Sequence, residues 1–230
     1  MSRGYEIIDF HAHILPGADH GSASIDTTAQ QLALAQKAGV SKIIATPHFY
    51  PHMHTLSSFL EKRDVAYRSM LSVLPEGMEI RLGAEVLICP GIENLPELDK
   101  LFINGTKTLL LELSTSEFSE ENCASVRKLI DRGVNVVLAH ADRYPVPYIE
   151  RMIELGAKIQ LNAVSLNKFF KRKPLYSWLS RGLVVALGSD IHGRDSKAYP
   201  ALVKAYRKIG THADKVARES QLIWKKSSKK

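Results

Sequence analysis

Seven short apolar runs alternate along the sequence with longer segments of helical periodicity, and this alternation restricts the fold more than any other feature. The runs are rich in Val, Ile and Leu and mostly continuous, as expected of parallel strands buried on both faces. Four predicted helix-to-strand joints carry a glycine just past the helix, where the chain turns with positive φ: Gly39, Gly133, Gly156 and Gly182. The predicted strands are Tyr5–Phe10, Lys42–Thr46, Glu79–Val86, Thr108–Leu113, Asn135–His140, Lys158–Ala163 and Leu183–Ser189.

Seven such units predict an α/β fold in which a parallel sheet closes, or nearly closes, into a barrel. An open doubly wound sheet is the alternative. The length of 230 residues and the absence of a linker predict one domain over residues 1–230.

The net charge of +7 comes mainly from one end of the chain. Residues 225–230 contain four lysines, and without them the net charge is +3. We therefore expect a frayed, solvated tail and no nucleic-acid partner.

The sequence predicts a cytoplasmic protein without a membrane span. It begins with no charged segment followed by an apolar one, and no apolar run approaches the roughly 20 residues of a spanning helix. Its two cysteines, Cys89 and Cys123, form no CxxC pair, which favours a reducing compartment. Neither cysteine starts a Cys-x₅-Arg motif, so cysteine-dependent phosphatase chemistry is excluded.

Acidic and imidazole side chains lie at or near the carboxyl ends of the predicted strands, the face of a parallel barrel that holds the active site. Mixed nitrogen and oxygen ligands suit Mn, Fe or Zn, and the number of candidates predicts two or three divalent ions. A lone His-x-His pair is common, but a carboxylate such as Glu112 among leucines is costly to bury unpaired. The candidates are Asp9, His11, His13, His48, Glu85, Glu112, His140, Asp190 and His192.

The order and spacing of these motifs resemble the PHP (polymerase and histidinol phosphatase) superfamily, and most closely the bacterial PHP-type tyrosine phosphatases of capsule and exopolysaccharide operons. The resemblance implies a distorted seven-stranded, TIM-like (β/α) barrel. The matching stretches are Asp9–Leu15, Ala45–His48, Gly83–Glu85, Leu110–Leu113, Ala139–Arg143 and Ser189–His192.

The resemblance also implies three metal sites. One would use His11, His13, Glu85 and Asp190, the second would use Glu85, Glu112 and His140, and Glu85 would bridge them. The third would use His48, His192 and a residue of the loop after the first strand.

One position departs from the family pattern. Where the family has Asp-Asp-Gly, this chain has Asp19-His20-Gly21. We expect His20 to bind the third ion through a ring nitrogen, which would favour Zn or Fe over Mn. The alternative is that His20 faces solvent while Asp19 or water fills the gap.

The implied activity is metal-dependent hydrolysis of a phosphomonoester, with phosphotyrosine in a protein as substrate and a bacterial tyrosine kinase as the expected partner. Arg143 would clamp the phosphate, Arg194 could assist, and Asp9 or a nearby histidine could protonate the leaving group. A salt bridge to Asp142 or a rim acid is the alternative for Arg143. Three other functions stay open: a phosphatase for a small molecule such as histidinol phosphate, an amidohydrolase, and a non-catalytic metal-binding regulatory module.

Two further segments follow strand ends. The aromatic side chains of residues 49–54 could flank a phosphotyrosine ring or simply pack as a surface loop. Residues 167–173 are basic with two phenylalanines and could attract an acidic peptide or start an amphipathic helix.

Overall fold

The computed structural model describes residues 5–114, 118–167 and 172–225. In these residues strands and helices alternate, and the predicted α/β class is confirmed. The strands are β1 (Ile8–Ala12), β2 (Lys42–Ala45), β3 (His48–Phe49), β4 (Glu79–Leu82), β5 (Glu85–Leu87), β6 (Thr108–Glu112), β7 (Asn135–Leu138), β8 (Lys158–Asn162) and β9 (Val184–Gly188). The helices are α1 (Ile25–Lys37), α2 (Leu56–Met70), α3 (Glu120–Asp131), α4 (Val146–Glu154), α5 (Ala163–Asn167), α6 (Arg172–Ser180), α7 (Ala198–Lys208) and α8 (Ala213–Lys225).

The strands form two parallel sheets, ordered β1-β2-β4 and β3-β5-β6-β7-β8-β9. The predicted strand Glu79–Val86 is therefore two strands, separated at Gly83 and Ala84, and the strand predicted to end at Thr46 resumes as β3. Pro47 has no N–H to give to a ladder, which accounts for the second break. Hydrogen bonds continue the pairing of the same two chain segments on both sides of the break, from Gly83 N to Ala45 O at 2.9 Å beside β2 and β4, and from Glu85 N to Pro47 O at 3.1 Å beside β3 and β5.

Two hydrogen bonds also connect the region after β9 to β1. Asp190 N donates to His11 O at 2.8 Å, and His13 N donates to Ile191 O at 3.3 Å. Among the described residues no strand pairing joins β9 to β1, so a closed seven-stranded barrel stays a prediction.

The apolar core has two parts. The larger part lies between the strands and the helices and holds most of the buried side chains. The smaller part is built from β1, β2, β6, β7 and β9 together with a residue of α8. Its members are Ile8, Phe10, Ile44, Ile103, Leu110, Val137, Ala139, Val185, Ala186 and Trp224. The strands are therefore packed on both faces, which explains their continuous apolar sequence.

Local signals in the sequence set the ends of several elements. The side chains of Ser24, Thr55 and Ser119 cap α1, α2 and α3 by accepting from a backbone N–H in the first turn. All four glycines predicted at helix-to-strand joints have positive φ. The strong turn signals thus position the carboxyl ends of the strands.

No helix in the described part of the chain is long and apolar enough to cross a bilayer. The predicted lysine tail beyond Lys225 and most of the basic segment after β8, residues 168–171, lie outside the described residues.

The buried end of α8 provides a test of the smaller core. Trp224 is 5% exposed, and its ring contacts the cationic groups of Lys42 and Arg81 at 5.6 and 5.0 Å from the ring centroid. Trp224→Ala should lower the free energy of unfolding by about 3–5 kcal/mol, because a large buried side chain is removed. Leu222 on the same helix is 46% exposed, so Leu222→Ala should change the free energy of unfolding by no more than about 0.5 kcal/mol. Urea denaturation measures the free energy of unfolding of both variants. Equal losses of stability in Trp224→Ala and Leu222→Ala would show that α8 does not pack against this core.

Candidate metal centre

The predicted ligands come together at the carboxyl ends of the strands. His11 is in β1 and His13 follows it, and Glu112 ends β6. His48 and Glu85 lie just beyond the carboxyl ends of β2 and β4, as the first residues of the short strands β3 and β5. His140 follows β7, and Asp190 and His192 follow β9. Because all strands are parallel, these ends lie at one face of the structure.

The carboxylate of Glu85 lies at the middle of the cluster. The distances from Glu85 Oε2 are 2.9 Å to His48 Nδ1, 3.1 Å to His11 Nε2 and 3.3 Å to His13 Nε2. Glu85 Oε1 lies 2.6 Å from His140 Nε2. Glu85 is fully buried, so both of its oxygens are surrounded by imidazole nitrogens.

These separations are those of ligands that share an ion. His11 Nε2 and His13 Nε2 are 3.0 Å apart, so the two nitrogens face one another across a gap that either a shared proton or a common ion fills. Two ligands bound at about 2.0–2.1 Å with angles of about 90–110° lie roughly 2.9–3.4 Å apart. Four overlapping triplets could hold an ion: His13–His48–His192, His11–Glu85–His140, His11–His13–Asp190 and His48–Glu85–Glu112. Eight of the nine candidates predicted at the strand ends occur in at least one of these triplets, and Asp9 occurs in none of them.

Unpaired buried atoms in the cluster fit a bound cation. The buried atoms His48 Nδ1, His192 Nε2, Glu85 Oε2 and Glu112 Oε2 have no hydrogen-bond partner in the described structure. Buried polar atoms are rarely left unpaired, and imidazole nitrogens and carboxylate oxygens are ligands of Zn, Fe and Mn. The donor set therefore fits two or more divalent transition-metal ions.

A layer of polar side chains orients the histidines, and the sequence did not single it out for this role. Gln160 Oε1 lies 3.2 Å from His11 Nδ1 and accepts from the backbone N–H of His140 at 2.7 Å. Asp19 Oδ2 lies 2.6 Å from His13 Nδ1. Such contacts fix which ring nitrogen faces a metal. A signal was present, because Gln160 is a polar residue between Ile159 and Leu161 in the buried part of β8.

Three more contacts complete this layer. The hydroxyl of Tyr144 lies 3.3 Å from His140 Nδ1. The side-chain amide of Asn162 donates to Asp190 Oδ2 at 2.8 Å, and its backbone N–H donates to Asp142 Oδ1 at 2.8 Å. Asp142 thus supports β8, while the guanidinium of Arg143 forms an ion pair with Asp190.

The backbone is strained at two of the candidate ligands. His140 has φ of 32° and Asp190 has φ of 52°, a region that residues with a side chain seldom adopt. Glycines make room for two others. A Cβ at Gly21 would lie 2.1 Å from His13 Cβ, and one at Gly188 would lie 2.6 Å from His11 Cβ. Such strain is typical of functional sites.

Without a cation, the cluster holds protons. Burial opposes charge on His11 and His13, but contacts with carboxylates, including Glu85, outweigh it and raise the pKa of both. Burial and the negative charge of Glu85 raise the pKa of Glu112 to about 7. Burial and the charge of His13 lower the pKa of His192 to about 4. The cluster therefore separates neutral, protonated and ionised groups by environment.

His20 lies beside the cluster but outside the four triplets. Its ring centroid is 4.7 Å from that of His48 and 4.8 Å from that of His192, and the residue is exposed. Metal binding by His20 stays a prediction. The alternative, in which His20 faces solvent and Asp19 or water fills the gap, also stays a prediction. Asp19 contacts His13 and the backbone amides of Gly21 and His48.

The three residues predicted to be catalytic lie in different surroundings. Arg143 is at the rim, with its side chain 47% exposed, and its guanidinium forms an ion pair with Asp190. Arg194 is exposed. Asp9 is buried and accepts from Ser189 through its backbone N–H at 2.8 Å and its hydroxyl at 2.6 Å. Burial raises the pKa of Asp9 to about 6. None of the three belongs to a triplet.

Comparisons with known proteins agree with this geometry. The sequence model for "Capsular polysaccharide synthesis, CpsB/CapC" matches residues 7–229. The chain is 25% identical over 227 residues to the tyrosine-protein phosphatase CpsB of Streptococcus pneumoniae, covering 87% of this chain and 91% of that protein. It is 28% identical over 202 residues to the tyrosine-protein phosphatase YwqE of Bacillus subtilis, covering 81% and 77%.

Solved structures share the fold. A structure from work on YwqE of B. subtilis and CpsB of S. pneumoniae, described as unique metal-dependent tyrosine phosphatases, superposes with a TM-score of 0.80 at 19% identity, covering 96% of this chain and 95% of that one. An inactive dihydroorotase-like domain of Chaetomium thermophilum superposes with a TM-score of 0.56 at 14% identity, covering 93% and 76%.

The affinity of the cluster for a divalent cation should rise with pH between about 6 and 8, because bound protons must leave before the ligands can bind. Glu112, with a pKa of about 7, and His11 and His13, with raised pKa values, hold those protons at neutral pH. Calorimetric titration with Mn²⁺ in buffers of different ionisation enthalpy measures both affinity and proton release. Glu112→Gln should reduce the release, and the exposed control Glu61→Gln should not. Affinity that is flat, or that rises on acidification, would contradict the protonation scheme.

Proposed function

The chain belongs to the CpsB/CapC family of capsular polysaccharide synthesis, and from this we propose that it is a metal-dependent protein-tyrosine phosphatase. The observation that carries the proposal is the buried cluster around Glu85, with a half-exposed arginine at its rim. Relatives covering most of the chain are named tyrosine-protein phosphatases. The two cysteines are not required.

Two or three divalent ions would be held by His11, His13, His48, Glu85, Glu112, His140, Asp190 and His192. Glu85 would bridge two of them, since its two oxygens face different histidines. When bound, such ions neutralise phosphate charge and lower the pKa of a water that attacks phosphorus. Hydrolysis breaks the bond from phosphorus to the tyrosine oxygen, and water supplies a hydroxyl to the phosphorus and a proton to that oxygen.

Arg143 would bind the phosphate at the rim. Its planar guanidinium can donate two parallel hydrogen bonds to phosphate oxygens, and its ion pair with Asp190 keeps it beside the cluster. Arg194 would act as a second, weaker contact from the exposed loop after β9.

Asp9 would position the site and also remains a candidate for proton transfer to the leaving group. Its carboxylate binds Ser189, directly before the strained Asp190, and so joins β1 to the segment after β9. This role agrees with the two sheets acting as one distorted seven-stranded, TIM-like barrel. The shared core of β1, β2, β6, β7 and β9 supports that closure.

The third ion, with His20 as a ligand, is the finer part of the proposal. The stacking of His20 on His48 and His192 supports it. A nitrogen ligand in place of an anionic one would move the preference from Mn toward Zn or Fe.

A phosphotyrosine protein in the cytoplasm, such as a bacterial tyrosine kinase, would be the substrate. Phosphatase activity on histidinol phosphate and a non-catalytic metal-binding role are the remaining alternatives. The shared fold with a dihydroorotase-like domain does not favour amide hydrolysis, because fold alone does not determine function.

Release of phosphate from a phosphotyrosine peptide by the Mn²⁺-loaded protein tests the function. We expect turnover that a chelator abolishes and that added Mn²⁺ restores. Glu85→Ala should lose both metal and turnover, whereas the exposed control Glu61→Ala should keep both. Turnover of histidinol phosphate but not of the peptide would support the small-molecule alternative, and full activity in Glu85→Ala would refute the metal mechanism.

Substitution of Arg143 tests the phosphate clamp. Arg143→Ala should lower kcat/KM for the peptide by roughly 10²-fold, as expected when a donor to developing charge is removed, with metal content unchanged. Arg143→Lys should restore activity only in part because it lacks the planar fork. Arg127 on α3 is exposed, so Arg127→Ala serves as control. Loss of metal in Arg143→Ala would instead show that the arginine supports Asp190.

A further inference from the structure

The aromatic residues after β2 are divided between the core and the site. Side chains alternate between faces along a strand, and β3 spans His48–Phe49. Phe49 is 1% exposed and packs edge-on against Phe59, with ring centroids 5.1 Å apart. His48 and Tyr50 therefore lie on the opposite face, toward the metal centre.

Tyr50 belongs to a row of stacked rings along one side of the cluster. The centroid of its ring is 5.1 Å from that of His48, with 26° between the planes, and 6.0 Å from that of His54, with 14° between the planes. His48 in turn stacks on His20 at 4.7 Å, and His20 stacks on His192 at 4.8 Å. We call His192, His20, His48, Tyr50 and His54 the ring row.

The position of Tyr50 in this row is fixed. Its backbone N–H donates to His54 Nδ1 at 3.3 Å, and the residue is half-buried. Through its stacking on His48, the ring of Tyr50 lies beside the cluster that would hold the metals.

We infer that Tyr50 contacts the aromatic ring of the substrate and selects aryl over alkyl phosphomonoesters. The inference rests on the proposed function and adds a specificity-determining residue to it. In an aryl ester the ring begins two bonds from phosphorus, so a phosphate held at the metals places that ring beside the rim of the cluster. Aromatic rings attract one another at centroid distances of about 4.5–7 Å. A phosphoserine side chain has no ring to make this contact.

Binding of two phosphonates that cannot be hydrolysed tests the inference apart from turnover. The Mn²⁺-loaded protein should bind phenylphosphonate more tightly than methylphosphonate in calorimetric titrations. Tyr50→Ala should reduce this preference roughly two- to tenfold, while Tyr50→Phe should retain it. The partly buried Tyr67 of α2 gives a control, since Tyr67→Ala should leave the preference unchanged. If Tyr50→Ala also fails to bind methylphosphonate, Tyr50→Leu is measured in its place and should show the same loss of preference.

Kinetics on matched peptides separate the inference from the proposed function. Tyr50→Ala should raise KM for a phosphotyrosine peptide and lower the ratio of kcat/KM for that peptide to kcat/KM for the same peptide with phosphoserine. A wild-type protein that hydrolyses neither peptide would refute the proposed function. A wild-type protein that hydrolyses phosphotyrosine, with no change in phenyl preference in Tyr50→Ala, would overturn the role of Tyr50 alone. Equal binding of the two phosphonates by the wild type would also overturn it.

Discussion

The structure depends on compensation of one buried carboxylate. Glu85 is fully buried, and an unpaired charge there would cost several kcal/mol. Imidazole nitrogens of four histidines, from three different parts of the chain, lie within 3.3 Å of its two oxygens. Each histidine reaches it only because the parallel strands end at the same face. The fold therefore serves to bring these strand ends together.

The supporting features act in the same direction. Glycines at positions 21 and 188 allow close approach to His13 and His11, and strained backbone turns His140 and Asp190 toward the cluster. Gln160, Asp19 and Tyr144 occupy the ring nitrogens that face away from it. These features orient the ligand side chains before a cation binds, as preorganised metal sites require, and the strained backbone lowers stability in return.

Much of this arrangement could be predicted from the sequence, because the ligands are local features of strand ends. The apolar runs located the strands to within a few residues, and the side chains that follow them located the face of the site. The breaks at Gly83 and Pro47 were missed, since apolar runs do not show where a ladder is interrupted. The supporting layer was also missed. Gln160 meets His11 across 149 residues of sequence, and only tertiary packing determines such a pair.

Under the proposed function, the carboxylate of Glu85 would bridge two metal ions. Anomalous diffraction from crystals of the Zn²⁺-loaded protein, collected at the zinc edge, tests it directly. The account predicts two peaks on either side of that carboxylate, each about 2.0–2.2 Å from one of its oxygens, one toward His11 and His13 and the other toward His140. A map with a single peak away from Glu85, or with no peak within reach of its oxygens, would contradict the claim.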